Sequence, residues 1–294
     1  MMSFEEFKQW FDQQFFALLE EKGNEFASYS NEASIKDIVS YISVFAKGGK
    51  RLRPYMAYVG YVTEGGEHDL FELFASIELL HLFCLVHDDI MDNAFARHNT
   101  KTIHEKFDRS IAILAGDLLL AWSFECMQVV AEYEPYTSDD AMKEYNLLLK
   151  EVIHGQMLDV LPTSTTPTKE LLEKVIELKT ARYSFYRPLA LGMILAGGDE
   201  EALDFAKSFG VQIGIAFQLI DDLYDWQDDK KNGQHTMVTW YENAHPDDSP
   251  QDIRHHIQAL IANAVEEAQE AIYAANKDSD PVWEEIVDRF GILR

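Results

Sequence analysis

Basic residues are scarce in this 294-residue sequence: 25 Lys and Arg stand against 51 Asp and Glu, a formal net charge of −26. So anionic a chain repels nucleic acid and anionic bilayer surfaces alike, which excludes polyanion binding through bulk charge. A phosphate ester could be held only through recruited metal ions or through the few cations gathered in one place. Cysteine is nearly absent. Cys84 and Cys126 both lie in apolar runs, where buried free thiols are expected rather than a disulfide, and a reducing, cytoplasmic setting fits. Long apolar runs are missing too. The N-terminus has no basic head followed by an apolar stretch, so it is not a signal peptide. The most apolar region, Ile111 to Phe124, is interrupted by Gly116 and Asp117 and reads as too short to span a bilayer, so no stable membrane insertion is expected. There is no alternating strand with a hairpin turn, no repeat period, no linker and no low-complexity tract. These absences leave an all-α chain, expected to form a single domain over residues 1–294.

What is present agrees. Hydrophobic residues make up 47% of the chain and aromatics 12%, ample for a packed core. After Ser3, Phe4, Phe7, Phe11, Phe15 and Leu18 recur at helical spacing with charges between them. Turn signals fall at Thr63 to His68, Glu134 to Asp140, Leu161 to Thr168, Gly197 to Glu200, His245 to Gln251 and Lys277 to Pro281. Helix starts are explicit at Ser249-Pro250 with Asp252, at Asp280-Pro281 and at Thr168.

Two segments carry chemistry. Leu85-Val86-His87-Asp88-Asp89-Ile90-Met91-Asp92 and Leu219-Ile220-Asp221-Asp222-Leu223-Tyr224-Asp225 are both Asp-Asp-x-x-Asp after an apolar run. In a helix the first and last aspartates of each set share a face. Three carboxylates together repel one another, and hard oxygen ligands of this kind suit Mg²⁺, which bridges carboxylate to phosphate oxygen. Alone, either motif is also what a solvated acidic helix turn looks like. Two copies in one helical chain point to a diphosphate gripped through metal ions from two sides.

With these motifs come others in a fixed order: Gly48-Gly49-Lys50-Arg51-Leu52-Arg53-Pro54, His81, Leu114-Ala115-Gly116-Asp117, Gly155-Gln156-Met157-Leu158-Asp159, Lys179-Thr180 and Phe217-Gln218. From about Lys47 to Thr239 the chain resembles the trans-isoprenyl diphosphate synthase, or polyprenyl synthetase, family. The resemblance implies the isoprenoid synthase fold, a bundle of roughly ten helices around a central cavity, usually as a homodimer. It implies a Mg²⁺-dependent prenyltransferase that condenses isopentenyl diphosphate with an allylic diphosphate. By the same resemblance about three Mg²⁺ bind per active site: Asp88 and Asp92 hold two, Asp221 holds a third, and Asp89, Asp222 and Asp225 act directly or through water. Lys50, Arg53 and His81 match positions that bind isopentenyl diphosphate. Arg97, Lys179, Thr180 and Gln218 match the allylic side, the last three near the developing carbocation. Asp117 and Asp159 are read as structural.

The match departs from the family at two places. Where the family carries two arginines and a glycine, this chain has Arg97, His98 and Asn99, so His98 stands at a position that contributes to the isopentenyl site. After the second motif the loop from Asp228 to Thr236 looks short, and Gln234 follows Gly233 where a lysine is expected; Lys230 and Lys231 are the candidates to replace it. Product length in this architecture depends on side chains before the first motif. Phe83 and Cys84 lie five and four residues before Asp88, about 6 to 8 Å along a helix. An aromatic at the earlier position alone, with no insertion in the motif, points to a twenty-carbon product, geranylgeranyl diphosphate, with fifteen-carbon farnesyl diphosphate as the near alternative. Trp122 and Phe124 are other candidates to close the cavity. Two other readings keep the fold: a non-catalytic subunit of a heteromeric prenyltransferase, and a class I terpene cyclase, whose second metal motif differs from Asp221-Asp222-Leu223-Tyr224-Asp225.

Overall fold

Ser3 caps the first helix as a box, its side chain accepting from the Glu6 amide while the Glu6 carboxylate takes the Ser3 N–H. Helix α1 (Phe4–Ala27) then buries Phe4, Phe7, Phe11, Phe15, Leu19, Gly23 and Ala27. The stride of four moves the stripe onto Leu19 rather than the expected Leu18, because four residues overrun one 3.6-residue turn. The computed structural model describes residues 1–30, 32–161 and 167–292. By their contacts these form two units, Met1–Tyr58 with Glu67–Asp139, and Val59–Gly66 with Asp140–Arg294.

The first unit continues with α2 (Ala33–Phe45), most of α3 (Leu52–Thr63), α4 (Phe71–Met91), the short α5 (Ile103–Lys106) and α6 (Arg109–Tyr133). Its core is aromatic: Phe7 stacks on Phe11, and Tyr55, Tyr58 and Phe74 close round Phe7 at centroid distances of 5.5, 4.9 and 5.6 Å. Helix α4 is buried over most of its length and packs chiefly on α6. The expected break at Gly116 and Asp117 does not occur. Alpha-helix α6 runs through both for 25 residues, because a glycine there lets α4 approach: a Cβ on Gly116 would sit 2.3 Å from His87 Nε2. The cost of an interior glycine, ~1 kcal/mol, is offset by that packing. Among the described residues α6 is therefore one helix long and apolar enough to cross a membrane, and the expectation that this stretch is too short is corrected. The face carrying Ala112, Ala115, Leu119 and Trp122 is buried inside the unit, as in a core helix.

A two-stranded ribbon, β1 (Ala96–Arg97) and β2 (Thr100–Lys101), joins α4 to α5. Strands of two residues are too short to show alternation, so the all-α reading passed over them. The turn between them, His98 and Asn99, has φ of 47° and 61°, as a tight hairpin of type I′ requires. Asparagine tolerates this left-handed conformation better than other non-glycine residues.

The second unit holds α7 (Ser138–Val160), α8 (Lys169–Ile176), a π-helical segment (Glu177–Tyr186), α9 (Arg187–Leu195), α10 (Glu200–Asn232), α11 (Met237–Ala244), α12 (Pro250–Ala274), α13 (Pro281–Ile286) and a second π-helical turn (Val287–Gly291). Thr168, Ser249 and Asp280 cap their helices as expected. Most of the turn expected at 161–168 falls on residues 162–166, outside the described residues. Helix α10 is central, packing on α12 and on the first π segment. Close approach to the π segment needs Gly214, where a Cβ would lie 2.3 Å from Ala181 Cα. Arg187, buried, ties this segment to α7 through Glu144 and Glu151 at 2.6 and 2.7 Å. Gly214→Ala should cost ~1–3 kcal/mol by overpacking, lowering the thermal midpoint by several degrees. An unchanged midpoint in a calorimetric scan would show that α10 and the π segment part freely.

Candidate active site

The first acidic set ends α4. Asp88 and Asp92 lie one turn apart, Asp88 half-buried and Asp92, the C-cap, exposed. Asp89 falls on the other face, is 1% exposed, and receives Arg97 from the ribbon: Nη2 donates to Oδ1 at 2.8 Å and Nε to the same oxygen at 3.1 Å. The hairpin exists to make this possible, since Ala94 N–H bonds Asp89 O and Thr102 Oγ1 bonds Ala94 O, returning the chain to the end of α4. So Asp89, expected among the metal-binding carboxylates, is engaged by an arginine expected on the substrate. The buried pair neutralises a carboxylate that would otherwise be costly to ionise.

The basic loop joins α2 to α3 and runs into the first turn of α3. Lys50 is exposed, Arg53 is half-buried, and Arg53 Nη1 is 3.0 Å from His81 Nε2 on α4. Burial, then the positive charges of Arg53, Arg97, Arg51 and His98, hold the His81 pKa well below its ordinary value. His81 is therefore neutral and accepts from Arg53 on Nε2, which places its own proton on Nδ1. Neutral, it brings no positive charge of its own to this cluster. His98 sits exposed at the hairpin tip, its ring 3.2 Å from where a Cβ on Gly48 would stand.

The second set lies on α10. Asp221 and Asp225 are exposed and one turn apart. Asp222 is 5% exposed and fully used: Gln218 Nε2 donates to Oδ1 at 2.7 Å and the Met237 N–H, at the start of α11, donates to Oδ2 at 3.3 Å. Gln218 in turn accepts on Oε1 from Thr180 Oγ1 at 2.6 Å, and Lys179 pairs with Asp159 at 2.6 Å. Lys179 and Thr180 owe their place to the π segment, against which Gly155 packs so closely that a Cβ would meet Lys179 Cγ at 2.9 Å. Desolvation outweighs these two hydrogen bonds, and with the nearby Asp229 and Asp221 charges it pushes the Asp222 pKa up to about 7. Asp229 is raised as well, by burial and by Asp225, Asp221 and Asp228. The short loop is a continuation of helix: α10 runs to Asn232, and Gly233 at φ 71° ends it, so Gln234 begins the connection to α11. Lys230 pairs with Glu242 at 2.6 Å, which removes it as a replacement for the missing lysine, while Lys231 is exposed.

The two sets are built alike, the middle aspartate turned inward to a protein donor and the outer two one turn apart on an outward face. Among the described residues no three His, Cys, Asp or Glu side chains gather into a metal cage. Mg²⁺ does not need one, because it keeps several waters and shares phosphate oxygens with one or two carboxylates. Hard oxygens at helical spacing fit that ion, and on α10 burial, with neighbouring acids adding to it, raises two carboxylate pKa values. Sequence reasoning passed over Glu78 and the Met237 N–H. The first was signalled by a lone acid within the apolar run Leu73 to Val86; the second, a main-chain group, had no signal.

The polyprenyl synthetase family model matches residues 32–242. The chain belongs to the polyprenyl synthetase family. It is a prenyltransferase by that membership, with the all-α isoprenoid synthase fold of its neighbours. A geranylgeranyl diphosphate synthase of Sulfolobus acidocaldarius is 34% identical over 70% of this chain and 68% of its own length. A short chain isoprenyl diphosphate synthase of Methanocaldococcus jannaschii is 33% identical over 63% of this chain, which spans only 56% of that relative. The crystal structure of a geranylgeranyl pyrophosphate synthase from Corynebacterium glutamicum, complexed with isoprenyl diphosphate and magnesium, superposes with a TM-score of 0.79 at 26% identity, covering 97% of this chain and 99% of that one.

The buried Asp222 makes stability depend on pH in a defined direction. A carboxyl whose folded pKa lies above its unfolded one destabilises the fold as it ionises, so stability is lost as pH rises from about 4 towards 7. Asp222→Asn, which mimics the protonated acid, should gain thermal midpoint over wild type across that window, with a constant difference above it. A difference independent of pH between 4 and 8 would mean that Asp222 is not buried as a carboxylate.

Proposed function

We propose that this enzyme lengthens an allylic diphosphate by one isopentenyl diphosphate at a time, with Mg²⁺ required, to a short-chain product. The observation that carries the reading is the pair of outward aspartate couples, Asp88 with Asp92 and Asp221 with Asp225, in a chain whose net charge of −26 would otherwise repel a diphosphate. The family match runs through both units, which supports reading residues 1–294 as one catalytic domain. The couples would hold the Mg²⁺ ions, about three by family resemblance, and the bound ions would act as Lewis acids toward the departing diphosphate. Asp89 and Asp222 support the couples from inside, through Arg97 and Gln218.

The chain's own residues divide the work by what each diphosphate must do. Isopentenyl diphosphate keeps its diphosphate, so Lys50 and the Arg53 fork, with neutral His81 beside it, bind and orient it without activating it. On the allylic side the C–O bond breaks, the electron pair leaves with diphosphate, and the isopentenyl double bond forms the new C–C bond. A proton is then lost to the released diphosphate. Thr180 Oγ1 donates its hydrogen bond to Gln218 Oε1, whose amide is fixed by Asp222, so the remaining Thr180 oxygen lone pairs are the ones left for a neighbouring cation. Lys179 carries the adjoining charge. Neither a terpene cyclase nor a non-catalytic subunit gains support from the relatives. Cytoplasmic location and a homodimer complete the reading.

Product analysis of the purified protein, given isopentenyl diphosphate with each allylic primer in turn, tests the proposal. Linear products with release of diphosphate are expected, and their formation in excess chelator would remove the metal requirement. Asp88→Ala and Asp221→Ala should each lower turnover by at least ~10²-fold, and together by less than the product of their effects, because both sets serve one reaction. Near-wild-type rates in either single variant would reject its role.

Product length rests on Phe83, buried with its ring edge-on to His87 at 4.7 Å, and on half-buried Cys84. The twenty-carbon product is favoured, with fifteen close behind. Cys84→Phe should shorten it by filling space, and Phe83→Ala should lengthen it by opening space. Identical product distributions from active wild type and both variants would place the floor elsewhere, with buried Trp122 and half-buried Phe124 next in line.

A further inference from the structure

The basic loop contains one arginine that the proposed reaction does not use. Arg51 lies between Lys50 and Arg53, yet it is 2% exposed and its guanidinium is spent entirely on the protein. Nε donates to Asp12 Oδ1 of α1 at 2.7 Å, Nη1 to Glu78 Oε1 of α4 at 2.5 Å, and Nη2 to the Ala46 carbonyl after α2 at 2.9 Å. Phe15 and Phe16 lie 5.4 and 5.7 Å from the guanidinium carbon. The backbone at Arg51 has φ 59°, a left-handed conformation that is unfavourable for a non-glycine residue and persists only where surrounding contacts impose it.

The neighbouring glycine fits the same device. A Cβ on Gly49 would stand 2.3 Å from Arg51 Nη1 and 3.2 Å from Glu78 Oε1, so Gly49 is bare to let the guanidinium through. Glu78 and His81 are three residues apart on α4, hence on one face. Across from them, Arg51 meets Glu78 and Arg53 meets His81, two rungs between the start of α3 and α4. The first rung is buried and doubly charged; the second is the one at the proposed substrate site.

We propose that Arg51 is a positioning residue for the diphosphate of isopentenyl diphosphate: its rung to Glu78 sets the register of the first turn of α3 on α4 and so holds Arg53 against His81. This rests on the reading that Lys50, Arg53 and His81 bind that substrate. A buried ion pair with a merely structural role would change stability and leave the balance between the two substrates alone. A positioning role moves one Michaelis constant selectively.

The test compares Arg51→Lys, which keeps the charge and loses the fork, with Gly49→Ala, which puts a methyl group in the guanidinium's path and leaves every charged group in place. Each is assayed with isopentenyl diphosphate varied at saturating allylic substrate, and the reverse, well below its measured thermal midpoint. Both variants should raise the KM for isopentenyl diphosphate about tenfold while kcat and the allylic KM stay within about twofold. Should either fail to fold, Asp12→Asn weakens the same cluster at its half-exposed end and should give a rise of about threefold. Unchanged KM values, or a uniform loss in both substrates and in kcat, would overturn the proposal. Arg53→Ala is the control for the parent reading: it should raise the same KM at least as much. If Arg53→Ala leaves that KM unchanged, the parent reading fails and takes the proposal with it; if Arg53→Ala raises it and the Arg51 and Gly49 variants do not, the positioning role alone fails.

Discussion

Like charges crowded on helix faces set the terms for this molecule. On the proposed reading a chain with 51 acids against 25 bases takes up a polyanion where each acidic motif adds three carboxylates. Two physical answers are available, neutralisation by protein donors or by cations, and the proposal assigns both to each motif. The middle aspartates, Asp89 and Asp222, are buried and given to Arg97 and to Gln218 with the Met237 amide. The outer aspartates stay toward solvent, one turn apart, where hydrated Mg²⁺ fits. Burying all six would leave ionised groups without partners, and exposing all six would leave the helices with no fixed orientation for the ligating pair.

Around that division the remaining polar groups fall into chains with a direction. Thr180 donates to Gln218, which donates to Asp222, so a buried carboxylate fixes which end of the Gln218 amide faces Thr180. Arg53 donates to His81, whose pKa is depressed by burial and surrounding cations, so a histidine in a basic site serves as a neutral relay. In both cases a titratable group is held away from its ordinary pKa by its surroundings. The glycines of the motifs belong to the same construction. Gly49, Gly116, Gly155 and Gly214 are each placed where a Cβ would strike a neighbouring group at 2.9 Å or less, and three of the four bring a functional helix or loop into reach.

Much of this was legible before the structure. The helical class, the caps at Thr168, Ser249 and Asp280, and the ordered motifs follow from local rules, because spacing and capping chemistry act within a few residues. What escaped depends on distant parts of the chain. That Asp89 is taken by Arg97 required the hairpin at His98 and Asn99, whose turn lacks the usual Asn-Gly signal. That Arg51 is buried while Lys50 is not required Asp12 and Glu78, far apart in sequence. Gly116 looked like a helix breaker because its compensation, the His87 ring, comes from another helix. The π-helical segment carrying Lys179 and Thr180 has no sequence signature of its own.

The central claim is that an acidic protein binds an allylic diphosphate through Mg²⁺ held by two aspartate couples. Titration calorimetry with an unreactive allylic thiolodiphosphate, with Mg²⁺ and then in excess chelator, examines binding apart from turnover. The account predicts saturable binding with Mg²⁺ and a loss of at least ~10²-fold in affinity without it, about 3 kcal/mol. Equal affinity in both conditions would contradict it.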